Sequence, residues 1–124
     1  MTDLKPQYTI NIETALREVH FSVAGFFSLE QMKAFLHELD SKARVLVQPG
    51  AELHALGDMS RAMPQSADVA EYLRKHLLAC KEAGLTRIAI IAPPLVRMQY
   101  KRLSEGLEVE FFDDADAAKT WLRR

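Results

Sequence analysis

The chain is poor in the residues that staple, ligate or catalyse. Its 124 residues include a single cysteine, Cys80. One thiol excludes a disulfide within the chain and falls short of the thiol count that the usual zinc spacings require. A surplus of either charge is also missing: 16 basic side chains stand against 17 acidic ones, for a net charge of −1 at pH 7. General binding to nucleic acid or anionic membrane needs a cationic excess, so no nucleic-acid partner is expected, although a local basic patch stays compatible with the balance. No apolar run approaches the ~20 residues of a membrane span. The opening residues, Met1-Thr2-Asp3-Leu4-Lys5-Pro6, contain no apolar core of the signal-peptide kind. These absences predict a cytoplasmic protein. Internal repeats, low-complexity tracts and dividing linkers are absent too, which predicts a single domain over residues 1–124.

Catalytic signatures are missing in the same way. There is no Gly-x-Ser-x-Gly elbow, no phosphate-binding Gly-Lys-Ser/Thr loop and no Rossmann glycine fingerprint. His20, His37, His54 and His76 are scattered, and no two of them have the i, i+4 spacing of a helical metal site. The expectation is a protein that is not an enzyme and uses no metal or cofactor.

What is present is ordinary globular composition. Hydrophobic residues make up 48% and charged residues 27%, which argues against disorder. Tyr8 to Glu13 alternates apolar and polar side chains, and Leu16 to Ala24 places Val19, Phe21 and Val23 on one face. The short gap between them predicts an antiparallel hairpin. Gly25 ends the second strand. Ser28 is placed as a helix N-cap, with Gln31 able to reach back and Phe27 and Met32 spaced as a hydrophobic staple. Leu29, Met32, Leu36, Leu39, Ala43 and Leu46 then recur at helical spacing, predicting one long helix stopped by Pro49-Gly50.

Leu53 to Met59 reads as a short buried strand and Ser60 to Gln65 as a loop. A second helix begins near Pro64 or Ser66, carries Val69, Leu73, Leu77 and Cys80 on one face, and stops at Gly84. Ile88 to Ala92 is a continuous apolar run, as expected of a strand covered on both faces, and Arg87–Ala92 is taken as the central strand of the sheet. Pro94 suits the first turn of a third helix with Leu95, Met98 and Leu103 facing inward. Glu108 to Phe112 is a last strand, and Asp113 or Asp114 caps a last helix in which Ala118, Trp121 and Leu122 pack. The resulting order predicts an α/β fold: a mixed sheet of about five strands, one antiparallel strand at its edge, and about four helices.

Three segments resemble the SpoIIAA-like branch of the STAS superfamily, the sulfate transporter and anti-sigma-factor antagonist domains. They are the strand, glycine and capped helix Phe21-Ser22-Val23-Ala24-Gly25-Phe26-Phe27-Ser28-Leu29-Glu30; the pair Arg87-Ile88-Ala89-Ile90-Ile91-Ala92 and Arg97-Met98-Gln99-Tyr100-Lys101-Arg102-Leu103; and Phe111-Phe112-Asp113-Asp114-Ala115-Asp116-Ala117-Ala118-Lys119-Thr120-Trp121-Leu122. The resemblance covers nearly the whole chain. It implies a non-catalytic regulatory or ligand-binding protein. A similarity of fold to CRAL-TRIO lipid-binding domains implies an amphiphilic ligand. In the antagonists a serine after the third strand is phosphorylated. Ser66 lies near that position here, although the family's Asp-Ser-Ser-Gly pattern is absent from the stretch between Asp58-Met59-Ser60 and Ser66-Ala67-Asp68.

Each candidate has a plainer reading beside it. Ser66 is a phospho-acceptor or simply an N-cap, and Ser60 is a turn residue. Arg97 and Lys101, four apart on one helix face with Arg102 and Arg87 nearby, either receive an anionic head group or make a solvated face near Glu105 and Glu108. Cys80 falls on an apolar stripe and reads as a buried thiol. Asp113, Asp114 and Asp116 read as capping residues. Ala70, Tyr72, Leu78 and Ala79, with Met59, Ala62 and Met63 before them, widen the apolar surface of the second helix, either as an exposed strip or as buried core.

The leading expectation is an amphiphile held between the second and third helices. Arg97 and Lys101 would give polar contacts, and Met63, Val69, Leu73, Leu95 and Met98 apolar ones. The alternative is a protein-interaction module of anti-sigma-factor-antagonist type, with Ser66 as its switch. Peripheral membrane contact and a homodimer are the further partner expectations.

Overall fold

The computed structural model describes residues 5–124. The Met1–Leu4 stretch, read above for a targeting segment, lies outside the described residues. The chain forms strand β1 (Gln7–Glu13), a 3₁₀ turn over Thr14–Leu16, and strand β2 (Glu18–Gly25). Helix α1 (Leu29–Ala43) and strand β3 (Leu53–Ala62) follow, then α2 (Ala67–Glu82), β4 (Leu85–Ile91), α3 (Pro94–Leu103), β5 (Glu108–Phe112) and α4 (Ala115–Leu122). The predicted α/β class and element order are both present.

The five strands lie in chain order, β1-β2-β3-β4-β5. β1 pairs antiparallel with β2 at one edge, and every later pair is parallel. The helices between parallel strands, α1, α2 and α3, send Met32, Phe35 and Leu36, Val69 and Leu77, and Val96 and Tyr100 into one core over one face of the sheet. Helix α4 follows the last strand and packs on the other face, where Ala118 and Leu122 meet Leu56 and Ala89. Strand order never reverses, so the sheet has no switch point of the kind that opens a crevice at strand ends in doubly wound folds.

Two expectations are corrected. The central strand is β3, with β4 one place further out. The apolar run in β4 correctly signals cover on both faces, since Ile88, Ala89 and Ile90 are all almost fully buried, but cover and central position are separate properties. β3 also runs on to Ala62, through Ser60-Arg61-Ala62, which were expected to be loop. A register shift between Ser22 and Ala24 lets β2 keep pairing, with Ala24 opposite Arg61 and Gly25 opposite Ala62. The polar side chains Asp58 and Ser60 stand on the side of the sheet that α4 leaves open to water, and Asp58 Oδ1 accepts from the Ser60 amide at 3.0 Å and hydroxyl at 2.7 Å.

Local chemistry accounts for the helix ends. Ser28 and Gln31 form the expected capping box around the start of α1, at 3.1 Å and 2.9 Å. α-Helical geometry stops at Ala43 and a 3₁₀ turn carries the chain through Arg44–Leu46, a common way for a helix to end. The Arg17 guanidinium holds that end by donating to the Leu46 and Glu52 carbonyls. Pro94 occupies the first turn of α3, and Asp114, rather than Asp113, caps α4 by accepting from the Ala117 amide at 2.8 Å.

Two glycines are required. Gly84 follows α2 at φ +113°, and a Cβ there would meet the Ala51 carbonyl oxygen at 2.6 Å. Gly57 in β3 lies under the Phe21 ring, where a Cβ would come within 2.4 Å of Phe21 Cζ. Phe35, absent from the stripe read in the sequence, is the hub of an aromatic group, with ring centroids 4.8 Å from Tyr8, 6.1 Å from Phe21 and 6.2 Å from Phe27.

Candidate functional site

The main core is hollow. Between α1, α2 and the sheet lies a cavity of about 380 Å³. Its floor is the inward face of β2, β3 and β4, including Val19, Phe21, Ala55 and Ile88, and its walls are the facing sides of the two helices. At one end large rings, Phe21, Phe27 and Phe35, fill the space between the layers. Toward the other end the facing residues are Ala43 on one side and Ala79 and Ala83 on the other, over Leu53, Ala55 and Leu85 on the floor. Short side chains at these positions leave room above the sheet. Asp40, Arg44, Val47 and Ala79 are the lining residues exposed to solvent, which places the mouth between the C-terminal parts of α1 and α2.

Few polar groups reach this space. Tyr100 of α3 is 7% exposed and lines the cavity. Its hydroxyl makes no hydrogen bond among the described residues, and burial pushes its ionisation well above the ordinary phenol value. At the mouth, His76 Nε2 is 2.7 Å from Asp40 Oδ1, linking α2 to α1. Cys80 Sγ lies 3.6 Å from His76 Nδ1 and 3.7 Å from Nε2. Burial, and then the Asp40 charge, push the Cys80 thiol up to about 12, so it rests as a thiol rather than a nucleophilic thiolate. Arg44, exposed on the last turn next to the mouth, has no ion-pair partner among the described residues.

The residues predicted from sequence are not gathered around one hollow. Leu73 lines the cavity. Val69 is fully buried elsewhere in the core, and Met63 is partly exposed after β3. Leu95 and Met98, expected to face inward, are 67% and 56% exposed on the outer side of α3; Val96 and Tyr100 make its buried face instead. Lys101 is exposed near them. Arg97 is engaged within the protein: its guanidinium donates to the Ala92 carbonyl at 2.6 Å, the Phe112 carbonyl at 2.9 Å and Asp113 Oδ1 at 3.0 Å. It thereby pins the end of β4 to the end of β5.

Ser66 is the N-cap residue of α2, but its hydroxyl bonds to Asp68 Oδ1 at 2.6 Å instead of capping an amide. The Asp68 carboxylate takes the Val69 amide at 2.9 Å, and these hydrogen bonds, Ser66 first, hold its ionisation below the usual carboxylate value. The outer side of α2 leaves Tyr72 and Leu78 partly exposed at 37% and 45%, with the Lys33 ammonium 5.5 Å from the Tyr72 ring centroid.

Sequence reading missed Asp40, Arg44, His76 and Tyr100. The one available signal was the i, i+4 spacing of His76 and Cys80, visible only when histidine and cysteine are searched together. Nothing in the sequence couples Asp40 to them.

The architecture defines an α/β domain with a mixed five-stranded sheet, three helices on one face and one on the other. The chain belongs to the SpoIIAA-like family, whose model matches residues 19–123. Among solved structures it is similar to an uncharacterized protein with a SpoIIAA-like fold from Shewanella loihica, at 23% identity and a TM-score of 0.73, covering 98% of each chain. It is also similar to an anti-sigma factor antagonist from Mycobacterium paratuberculosis, at 16% identity and a TM-score of 0.59, covering 95% of this chain and 96% of the other. At these identities the likeness is one of fold. A comparison with curated proteins finds no match. No helix among the described residues is long and apolar enough to cross a membrane.

Proposed function

We propose that the chain, as one domain, is a non-catalytic binding protein that takes an amphiphilic small molecule into the cavity between α1, α2 and the sheet. The observation that carries this is the cavity itself. Its volume of about 380 Å³ falls in the range of small-ligand sites, roughly 300–1,000 Å³, which are mostly apolar with a few placed polar groups. The apolar part of the ligand would lie over Ala55 between Leu73 and Leu36. The unpartnered Tyr100 hydroxyl offers one inner hydrogen bond, and Arg44 offers a charge to an acidic head group at the mouth. Arg97 is held by the Ala92 and Phe112 carbonyls and Asp113 through Nε and Nη2, away from the cavity, so Arg44 takes over the polar role that sequence reading gave to Arg97 and Lys101.

The test is titration of the purified chain with a long-chain fluorescent fatty acid. Saturable binding at one molecule per chain is expected, weakened by Arg44→Ala and abolished by Leu73→Trp, which fills the cavity. Failure to saturate, or binding unchanged in Leu73→Trp, overturns the reading.

A second reading is a regulatory protein-interaction module, favoured by the similarity to an anti-sigma factor antagonist and by the exposed pair Leu95 and Met98 beside Lys101 on α3. The same face would serve a homodimer or a peripheral membrane contact. Ser66, partly exposed at the start of α2, would be its phospho-acceptor. Partner binding lost in Leu95→Glu or Met98→Glu, and altered in Ser66→Asp, supports this module; binding indifferent to all three removes it.

A further inference from the structure

We infer that Asp40, His76 and Cys80 form a site for a thiophilic divalent cation, with zinc the metal whose ligand preferences they match. The three side chains supply one carboxylate oxygen, one imidazole nitrogen and one sulfur, and these atoms all lie within 4.8 Å of one another. Zinc bonds of about 2.0–2.3 Å to such ligands in a tetrahedron set the ligand atoms about 3.3–3.8 Å apart. The sulfur-to-nitrogen distances of 3.6 Å and 3.7 Å already fall in that range. A bound metal lengthens the 2.7 Å Asp40–His76 contact as it takes the place of the shared proton.

The backbone presents the ligands suitably. His76 and Cys80 are one turn apart on α2, so both project from the same helix face. Asp40 comes from α1 across the gap. A cation therefore ties the two helices together at the mouth of the cavity, where Asp40 and His76 already meet. Three protein ligands leave a fourth position for water or another oxygen donor, as in open zinc sites. On binding, Cys80 gives up its thiol proton to solvent, and the resulting thiolate with the Asp40 carboxylate neutralises the 2+ charge, which favours placing the ion at a partly buried point.

The geometry argues against a cysteine–histidine catalytic pair built from the same atoms. Sγ is nearly equidistant from the two ring nitrogens, so it sits beside the imidazole rather than on the lone-pair axis of either one. The thiol contact is split between both ring nitrogens, so neither nitrogen is a dedicated base for it. Rotation of the imidazole directs one nitrogen toward the point shared with sulfur and carboxylate. The inference is independent of the amphiphile, because every ligand is a residue of the chain.

Cys80 is the sole cysteine of the chain, which gives an unambiguous experiment. The metal-free chain is titrated with Co²⁺ in thiol-free buffer, followed by Zn²⁺ competition. The expected result is a thiolate-to-cobalt charge-transfer absorption in the near ultraviolet, saturating at one Co²⁺ per chain, with ligand-field bands of tetrahedral intensity, and displaced by Zn²⁺. In Cys80→Ser the charge-transfer band disappears. Zn²⁺ affinity falls at least about tenfold in Cys80→Ser and His76→Ala, since even outer-shell changes cost that much. Asp40→Asn weakens binding in the same direction.

Absence of the band at saturating Co²⁺ in the unaltered protein overturns the inference without recourse to any variant. So does saturation at half an equivalent, which indicates one metal shared between two chains. Retention of full Zn²⁺ affinity in folded Cys80→Ser does the same. Fatty-acid binding that persists in the metal-free protein leaves the proposed ligand function standing whatever the metal result.

Discussion

Glu18 is a charged side chain left at 1% exposure, at the start of β2. Burial alone would raise its ionisation. The Arg123 guanidinium donates to both carboxylate oxygens at 3.1 Å, and His20 Nε2 lies 2.8 Å from Oε1. Together these contacts outweigh burial and leave its pKa below its ordinary value of 4.5. A carboxylate held more acidic in the folded state than in the unfolded one stabilises the fold above the unfolded pKa, and that contribution is lost as pH falls through the folded pKa. Urea-denaturation midpoints should therefore decline as pH drops below the ordinary Glu value of 4.5, and less steeply in Glu18→Gln. At neutral pH Glu18→Gln should cost about 1–3 kcal/mol, the scale of hydrogen bonds to charged groups, toward the lower end because Arg123 remains partly exposed and can regain water. An unchanged acid slope in the variant would remove Glu18 as the responsible group. None of this pairing was legible in the sequence, because the two residues are 105 positions apart and each is unremarkable alone.

At the scale of elements, legibility followed the strength of local chemistry. The starts of α1, α3 and α4 were readable because a capping box, a first-turn proline and an aspartate cap act within four residues of the boundary. The end of β3 was not, since Ser60 and Arg61 are polar residues of a strand whose outer face is wet, and alternation reads poorly where Ala55, Leu56 and Gly57 are buried in succession. The start of α2 shows a subtler misreading. Ser66 stands at the N-cap, yet its hydroxyl points to Asp68, and the Asp68 carboxylate serves the first-turn amide. The expected consequence reverses the usual order: Asp68→Ala should destabilise more than Ser66→Ala, because it loses both the amide contact and the anion at the positive helix end. Ser66→Asp places a second carboxylate beside the first and should lower stability further than Ser66→Ala. Thermal unfolding of the three variants in parallel checks the ranking, and a Ser66→Ala cost above that of Asp68→Ala would show the hydroxyl to be the true cap.

For the whole molecule, hydrophobic periodicity was enough to establish a layered α/β fold with a hairpin at one edge, because burial of each face is written residue by residue. The site was not written that way. The hollow over Ala55 is lined by Ala43, Ala79 and Ala83 among larger apolar residues far apart in sequence, and no local pattern encodes a void. That gives a test whose sign is decisive. Ala55 is 7% exposed and lines the cavity floor. In a close-packed core, Ala55→Leu would overpack and cost about 1–3 kcal/mol. Over an empty apolar space, the added methylene groups gain burial without strain, at up to about 0.8 kcal/mol each, and stability should rise by about 1–2 kcal/mol. The substitution should at the same time abolish fatty-acid binding, and a saturating fatty acid should raise the melting temperature of the unaltered chain while leaving that of the variant unmoved. Stability gained together with binding lost is the signature of an interior kept open for a ligand, and a destabilised Ala55→Leu would mean that the layers close over the space in solution.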